Sequence, residues 1–225
     1  MEQFETQEAK SKEGENTFLS ECAKEIPGEG KEAIINIFSW LKEKGLITKP
    51  EDSIAISDPE RFKKENDYYL TRSTPEIIKS GYTIACAEAA QLMVDILKAK
   101  RESARYVDTL SETFLRTNDK QGHMFIEFFD KQENKWQPFN PVNGDFCIWE
   151  EEKGIKYIRW KGSITIKRKR EKFDEKYYYF KMAETPQAMG YLNVGKMQDI
   201  VQRNSPELRK KLGLVLSDKR NLSSV

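Results

Sequence analysis

Residues 84–100, "IACAEAAQLMVDILKAK", are rich in Ala, Leu, Met, Glu and Lys and contain no Gly or Pro. Such a run favours one regular structure, an α-helix. Ala85, Ala89, Leu92, Met93, Ile96 and Leu97 fall on one apolar face, which the helix must bury against another layer. The next segments supply that layer. From residue 103, "SARYVDTL", "HMFIEFF", "KWQPFNP", "IKYIRW" and "SITIKR" are short, β-branched or aromatic, and separated by turn-prone polar runs. They read as strands of an antiparallel sheet, with "DKQENK" (130–135) as a hairpin loop. One long helix packed on such a sheet is an α+β layout.

The flanks add helices at both ends. Residues 1–16 are polar, poor in large apolar side chains, and expected to be mobile. "PGEG" (27–30) is a loop. The following segment places Ile34, Ile35, Phe38, Leu41 and Leu46 near helical spacing, with Gly45 as its C-terminal stop. Pro50 and Pro59 break the stretch beyond it. "STPEIIKSG" reads as a short helix capped by Ser73 or Thr74, opened by Pro75 and ended by Gly81. The tail, "TPQAMGYLNVGKMQDIVQR" and "SPELRKKLGL", returns to helix. The organisation is a polar N-terminus (1–16), an α+β domain (17–182) and a C-terminal helical extension (183–225).

Charge is nearly balanced, 38 basic against 37 acidic side chains among 225 residues. That gives no electrostatic case for nucleic acid or an anionic membrane. "KRKREK" (167–172) reads as a solvated strand end or turn. The opening residues lack the apolar core of a secretory signal, and no apolar run approaches the roughly 20 residues of a membrane helix. Cys22, Cys86 and Cys147 are too few for a disulfide framework and fit a reducing cytoplasm. His123 is the only histidine, which leaves too few nitrogen and sulfur ligands for a zinc site.

Cys86 falls in the first turn of the predicted helix, where the helix dipole favours thiolate. A nucleophilic cysteine needs a base and a group that orients the base. His123 opens the strand "HMFIEFF". The neighbouring segment ends at Asn140, which antiparallel pairing would bring close to the imidazole. Cys86, His123 and Asn140 thus form a candidate triad. The oxyanion hole would use the Cys86 backbone N–H and a side-chain donor, for which Tyr82 is the nearest candidate. The bland readings stand beside these. A thiol on an Ala-rich helix is ordinarily core packing, and Asn before Pro is a common turn residue. Glu127 shares the His123 strand face by period two and reads as a surface carboxylate. Cys22 and Cys147 read as packing thiols, and "YYYF" (177–180) as core and edge packing.

Residues 72–145 resemble the transglutaminase-like superfamily, a branch of the papain-like fold. Cys86 is followed by Ala90, Leu92 and Leu97, then by Ala104-Arg105 opening the first core strand. "HMFIEFF" matches the histidine motif. Trp136 followed by Asn140-Pro141 matches the third. The lead-in "TPEIIKSGY" is also similar. The chain departs from the family in having Ala85 where Gly usually precedes the cysteine, Asn140 where Asp is usual, and "RES" in the loop before Ala104. The resemblance implies a papain-like core and acyl transfer through a Cys86 thioester on a peptide or protein amide, with no metal or other cofactor. Water as acceptor makes a peptidase or amidase, the favoured outcome; an amine makes a crosslinker. The alternative is an impaired domain serving as a binding scaffold, with residues 160–180 or the C-terminal helices as partner surface.

Overall fold

The computed structural model describes residues 2–47, 60–61, 70–118, 122–166 and 169–216. Six helices and a curled seven-stranded sheet make a mixed α/β architecture among these residues. The first helices are α1 (Glu2–Glu25), α2 (Gly30–Glu43), α3 (Thr74–Ser80) and α4 (Cys86–Ala99). Strand β1 (Ala104–Ser111) leads into the short helix α5 (Glu112–Thr117). Then follow β2 (Gly122–Asp130), β3 (Lys135–Asn140), β4 (Asp145–Phe146), β5 (Trp149–Glu152), β6 (Ile155–Ile166) and β7 (Lys169–Ala183). A 3₁₀ turn (Gln187–Met189) precedes α6 (Val194–Leu212). The strand order is β4-β3-β2-β1-β7-β6-β5, and the neighbours with a described register pair antiparallel.

Helix α4 is the centre of the molecule. Leu92, Met93, Val94, Ile96 and Leu97 are buried, and each such side chain contributes about 1.5–3 kcal/mol relative to exposure. They join one core cluster with Ile34, Ile37 and Leu41 of α2, and with Tyr106, Met124, Ile126 and Phe128 of the sheet. Strand alternation sends the intervening residues the other way: Val107 and Phe125 form a second cluster with Ile158 on the opposite face. Asp95 of α4 accepts from the Thr74 hydroxyl of α3 at 2.6 Å.

Helix α3 begins and ends where the sequence places it. The Glu76 carboxylate accepts from the Ser73 backbone N–H at 2.7 Å, and Gly81 takes the left-handed conformation at φ 75°. Gly45, at φ 72°, lies one residue past the Lys44 C-cap of α2. Elsewhere the structure departs from expectation. Residues 2–16, read as a mobile stretch, form most of α1; their Glu, Gln, Lys and Ala are good helix formers despite their polarity. "IKYIRW" and the "SITI" of "SITIKR" belong to one long strand, β6, paired along its length with β7. The segment before residue 183 is therefore sheet, and helix resumes only at Val194. Of "KRKREK", residues 167 and 168 lie outside the described residues, and the rest begins β7.

Candidate active site

Cys86 is the first residue of α4, and Ala85 is its N-cap in an extended conformation, φ −157° and ψ −176°. Any residue adopts that backbone, so alanine at this position introduces no strain. Ala85→Gly is expected to change stability by less than about 1 kcal/mol, because the unfolded-chain freedom that glycine adds opposes its better fit at an N-cap; a thermal melt shifted by more than that in either direction would overturn this reading.

The register of the sheet leaves part of the imidazole's strand open on one side. The β2–β3 ladder runs from Ile126 to Asp130 on β2, whereas the β1–β2 ladder continues to Gly122. Ahead of Ile126, β2 thus has a side not laddered to β3. The backbone amides of Met124, Ala87 and Cys86 itself act to lower the Cys86 thiol pKa. Met124 is the residue after His123. The approach of β1 here is close: a Cβ at Gly122 would lie 2.0 Å from the Thr109 carbonyl oxygen, so only glycine fits immediately before His123.

The His123 imidazole is 8% exposed. Its Nε2 lies 3.0 Å from Asn140 Oδ1, and the Val142 backbone N–H donates to the same oxygen at 3.0 Å. A backbone N–H can only donate, so the amide atom facing it must be the oxygen. Nε2 must then carry the proton and donate, which leaves the lone pair on Nδ1. Val142 therefore fixes the Asn140 amide, and Asn140 fixes the tautomer that a general base requires. Asn140 is fully buried, and its Nδ2 has no partner among the described residues. The rings of Phe125, Trp160 and Tyr177 stand 4.7, 5.0 and 5.8 Å from the imidazole.

Both titrating groups favour their neutral forms. Burial pushes the Cys86 thiol up, and the Asp108 charge adds to this against the three lowering amides. Burial pushes His123 down to about 4, partly opposed by the Asn140 hydrogen bond. The imidazole's side-chain hydrogen bond goes to Asn140, and none reaches Cys86 among the described residues. Both directions favour the thiol and the neutral imidazole over the thiolate–imidazolium pair.

The loop before Cys86 is held by a buried ion pair. Arg72 donates to both oxygens of Glu88, at 2.9 and 2.6 Å. It also donates to the Ser80 hydroxyl and the Tyr82 carbonyl. Glu88, in the first turn of α4, accepts in addition from the Ile84 N–H at 2.6 Å. The Tyr82 ring lies against the guanidinium groups of Arg61 and Arg72, at 4.4 and 4.7 Å from its centroid. Among the described residues no hydrogen bond joins the Tyr82 hydroxyl to Cys86. Glu127 is buried, not a surface carboxylate: Arg105 holds one oxygen at 2.8 Å and the Trp149 indole donates to the other at 2.6 Å. Cys22 is buried and Cys147 half-buried, and all three cysteines are free.

Sequence reasoning missed Trp160 and Tyr177 beside the imidazole. Both sit in strands whose apolar alternation reads the same whether the aromatic packs in a core or lines a site. Among the described residues no helix is long and apolar enough to cross a membrane. Comparison of the chain with protein-family models, characterised proteins and solved structures found no match.

Proposed function

We propose that this chain is a transglutaminase-like cysteine hydrolase, a peptidase or amidase, with Cys86, His123 and Asn140 as its triad. The observation that supports it best is the buried His123–Asn140–Val142 relay, which selects the imidazole tautomer with a free Nδ1. On this reading Nδ1 takes the Cys86 proton and the thiolate attacks the amide carbonyl carbon. The Cys86 and Ala87 amides are the candidate donors to the oxyanion. Collapse breaks the C–N bond, the imidazolium proton goes to the leaving amine, and a thioester remains. Water, deprotonated by Nδ1, releases the acid and restores the thiol. An amine acceptor at that second step would make the same chain a crosslinker.

A panel of fluorescent peptidyl vinyl sulfones, followed by peptide mapping, tests the proposal. The expected result is an adduct confined to Cys86 and lost in His123→Ala. Labelling of Cys86 no faster than of Cys22 or Cys147 between pH 5 and 9 would sink it. Monodansylcadaverine incorporation into a glutamine peptide separates the crosslinker from the hydrolase. The raised thiol and lowered imidazole favour one second reading, a domain of the same fold that serves as a protein-binding scaffold. It predicts a Cys86→Ala protein with partner binding intact.

A further inference from the structure

Strands β6 and β7 run on past the rest of the sheet. β5 pairs with β6 no further than Ile158, opposite Trp149. β1 pairs with β7 no further than Ser111, opposite Tyr177, before the chain turns into α5. Thr113 of α5 closes the last position, its N–H and hydroxyl donating to Glu175 at 2.7 and 2.8 Å. Beyond lie six residue pairs, from Lys161↔Asp174 to Ile166↔Lys169, in which β6 and β7 pair only with each other among the described residues. At about 3.3 Å per residue they form a two-stranded ribbon roughly 20 Å long, unladdered along both outer edges. Such an edge presents backbone N–H and C=O groups to a chain that can lie along it.

The ribbon is rooted at the candidate site. Trp160, opposite Glu175 at its base, has its ring 5.0 Å from the His123 imidazole and 5.9 Å from Tyr177. Its charge is set apart from that of the chain. Residues 161–174 hold six basic and two acidic side chains, a net +4 in a chain whose total is +1, so the remainder sums to −3. Of the two acids, Asp174 is taken by Arg159, which donates to it at 2.7 and 2.8 Å. On β7, Lys169, Arg170 and Lys172 flank the single acid Glu171 along the open edge. A second copy of the ribbon would bring like charge to that edge, which disfavours pairing of this chain with itself. An acidic chain brings the opposite charge.

We infer that the β7 edge of this ribbon docks an acidic polypeptide segment as an added strand. The partner's backbone occupies the lane that β1 leaves at Ser111, and its carboxylates fall opposite the strand positions of Lys169, Arg170 and Lys172. The docked chain is the substrate, a protein with an extended acidic segment near the amide that Cys86 attacks; this role rests on the hydrolase reading, whereas the docking does not.

Fluorescence anisotropy of a fluorescein-labelled peptide of alternating Glu and Val, titrated with the full Cys86→Ala chain, tests the docking without turnover. Binding is expected, and it should weaken with added salt. It should fall at least about tenfold when Lys169→Glu, Arg170→Glu and Lys172→Glu are added together. Lys172→Gln alone, expected to weaken binding about twofold, stands as the test if the triple variant does not fold. The same peptide N-methylated at alternate residues keeps its charge but cannot complete the ladder, and should also bind at least about tenfold more weakly. No binding of the Glu–Val peptide, or equal affinity after charge reversal or N-methylation, overturns the inference. Tighter binding of a mixed-sequence DNA duplex overturns it too, and would make the ribbon a nucleic-acid arm. In the wild-type chain, a vinyl sulfone extended by Glu–Val repeats should label Cys86 at least about threefold faster than the unextended probe; equal rates beside intact binding would overturn the substrate role. Because docking is read without the thiol, its failure leaves the hydrolase reading standing, and a Cys86 that no vinyl sulfone labels sinks the hydrolase alone.

Discussion

Replacing Asn140 is expected to move Cys86 reactivity in opposite directions according to the substituent. Asn140→Ala removes the acceptor for the Nε2 proton. That hydrogen bond is the interaction that raises His123 against the downward pull of burial. Without it the imidazole becomes a weaker base, and transfer of the thiol proton to Nδ1 becomes less favourable. Asn140→Asp keeps an acceptor for both His123 Nε2 and the Val142 N–H. It also replaces the unpartnered Nδ2 with an oxygen and places a negative charge beside the ring. An adjacent carboxylate favours imidazolium, so His123 should titrate higher and the thiolate–imidazolium pair should gain population. Each pKa unit is a factor of ten in that proton-transfer equilibrium. Cys86 alkylation at pH 6 is expected to fall at least about tenfold in the alanine variant and to rise at least about tenfold in the aspartate variant. The measurement is the rate of iodoacetamide incorporation at Cys86 between pH 5 and 8, with the His123 ring resonances followed by NMR. Identical rates in all three proteins would remove Asn140 from the site.

The parts of this arrangement legible in the sequence are those set by local chemistry. Helix α4 is written in its composition, and α3 in the Ser73–Glu76 box, Pro75 and Gly81, because caps and turns need only neighbouring residues. The His123–Asn140 contact was also within reach, since antiparallel pairing of two short strands brings their ends together. What was not legible depends on distant partners. Nothing in the sequence around Glu88 marks it for burial. Its burial follows from Arg72, in a loop preceding α3, and no local pattern signals that pairing. Asp108 and Tyr191, joined by a hydrogen bond from the Tyr191 hydroxyl, belong to segments far apart in the chain that meet only when the C-terminal segment returns to the core. Glu127 was misread because strand period gives the face a residue occupies, not whether that face is covered; Arg105 and Trp149 cover it. The upward shift of Cys86 and the downward shift of His123 were equally invisible, because they follow from burial by the whole fold.

Breaking the Arg72–Glu88 pair from either side is expected to cost about 3–5 kcal/mol of stability. Glu88 is the more deeply placed partner, with its side chain 1% exposed against 12% for Arg72. Arg72→Met leaves a buried carboxylate whose remaining donor is the Ile84 N–H. Glu88→Ala leaves the guanidinium facing the Ser80 hydroxyl and the Tyr82 carbonyl without its anion. Both changes loosen the turn that delivers Cys86 to the start of α4, since Glu88 also ties the first turn back to Ile84. The double variant Arg72→Met/Glu88→Leu should recover much of the loss, because removing both charges leaves no unpaired buried ion. Urea unfolding of the four proteins, read as a double-mutant cycle, gives the coupling directly. Losses that simply add would mean the two side chains act independently. Recovered stability with Cys86 alkylation still altered would show that the pair positions Cys86 as well as holding the fold.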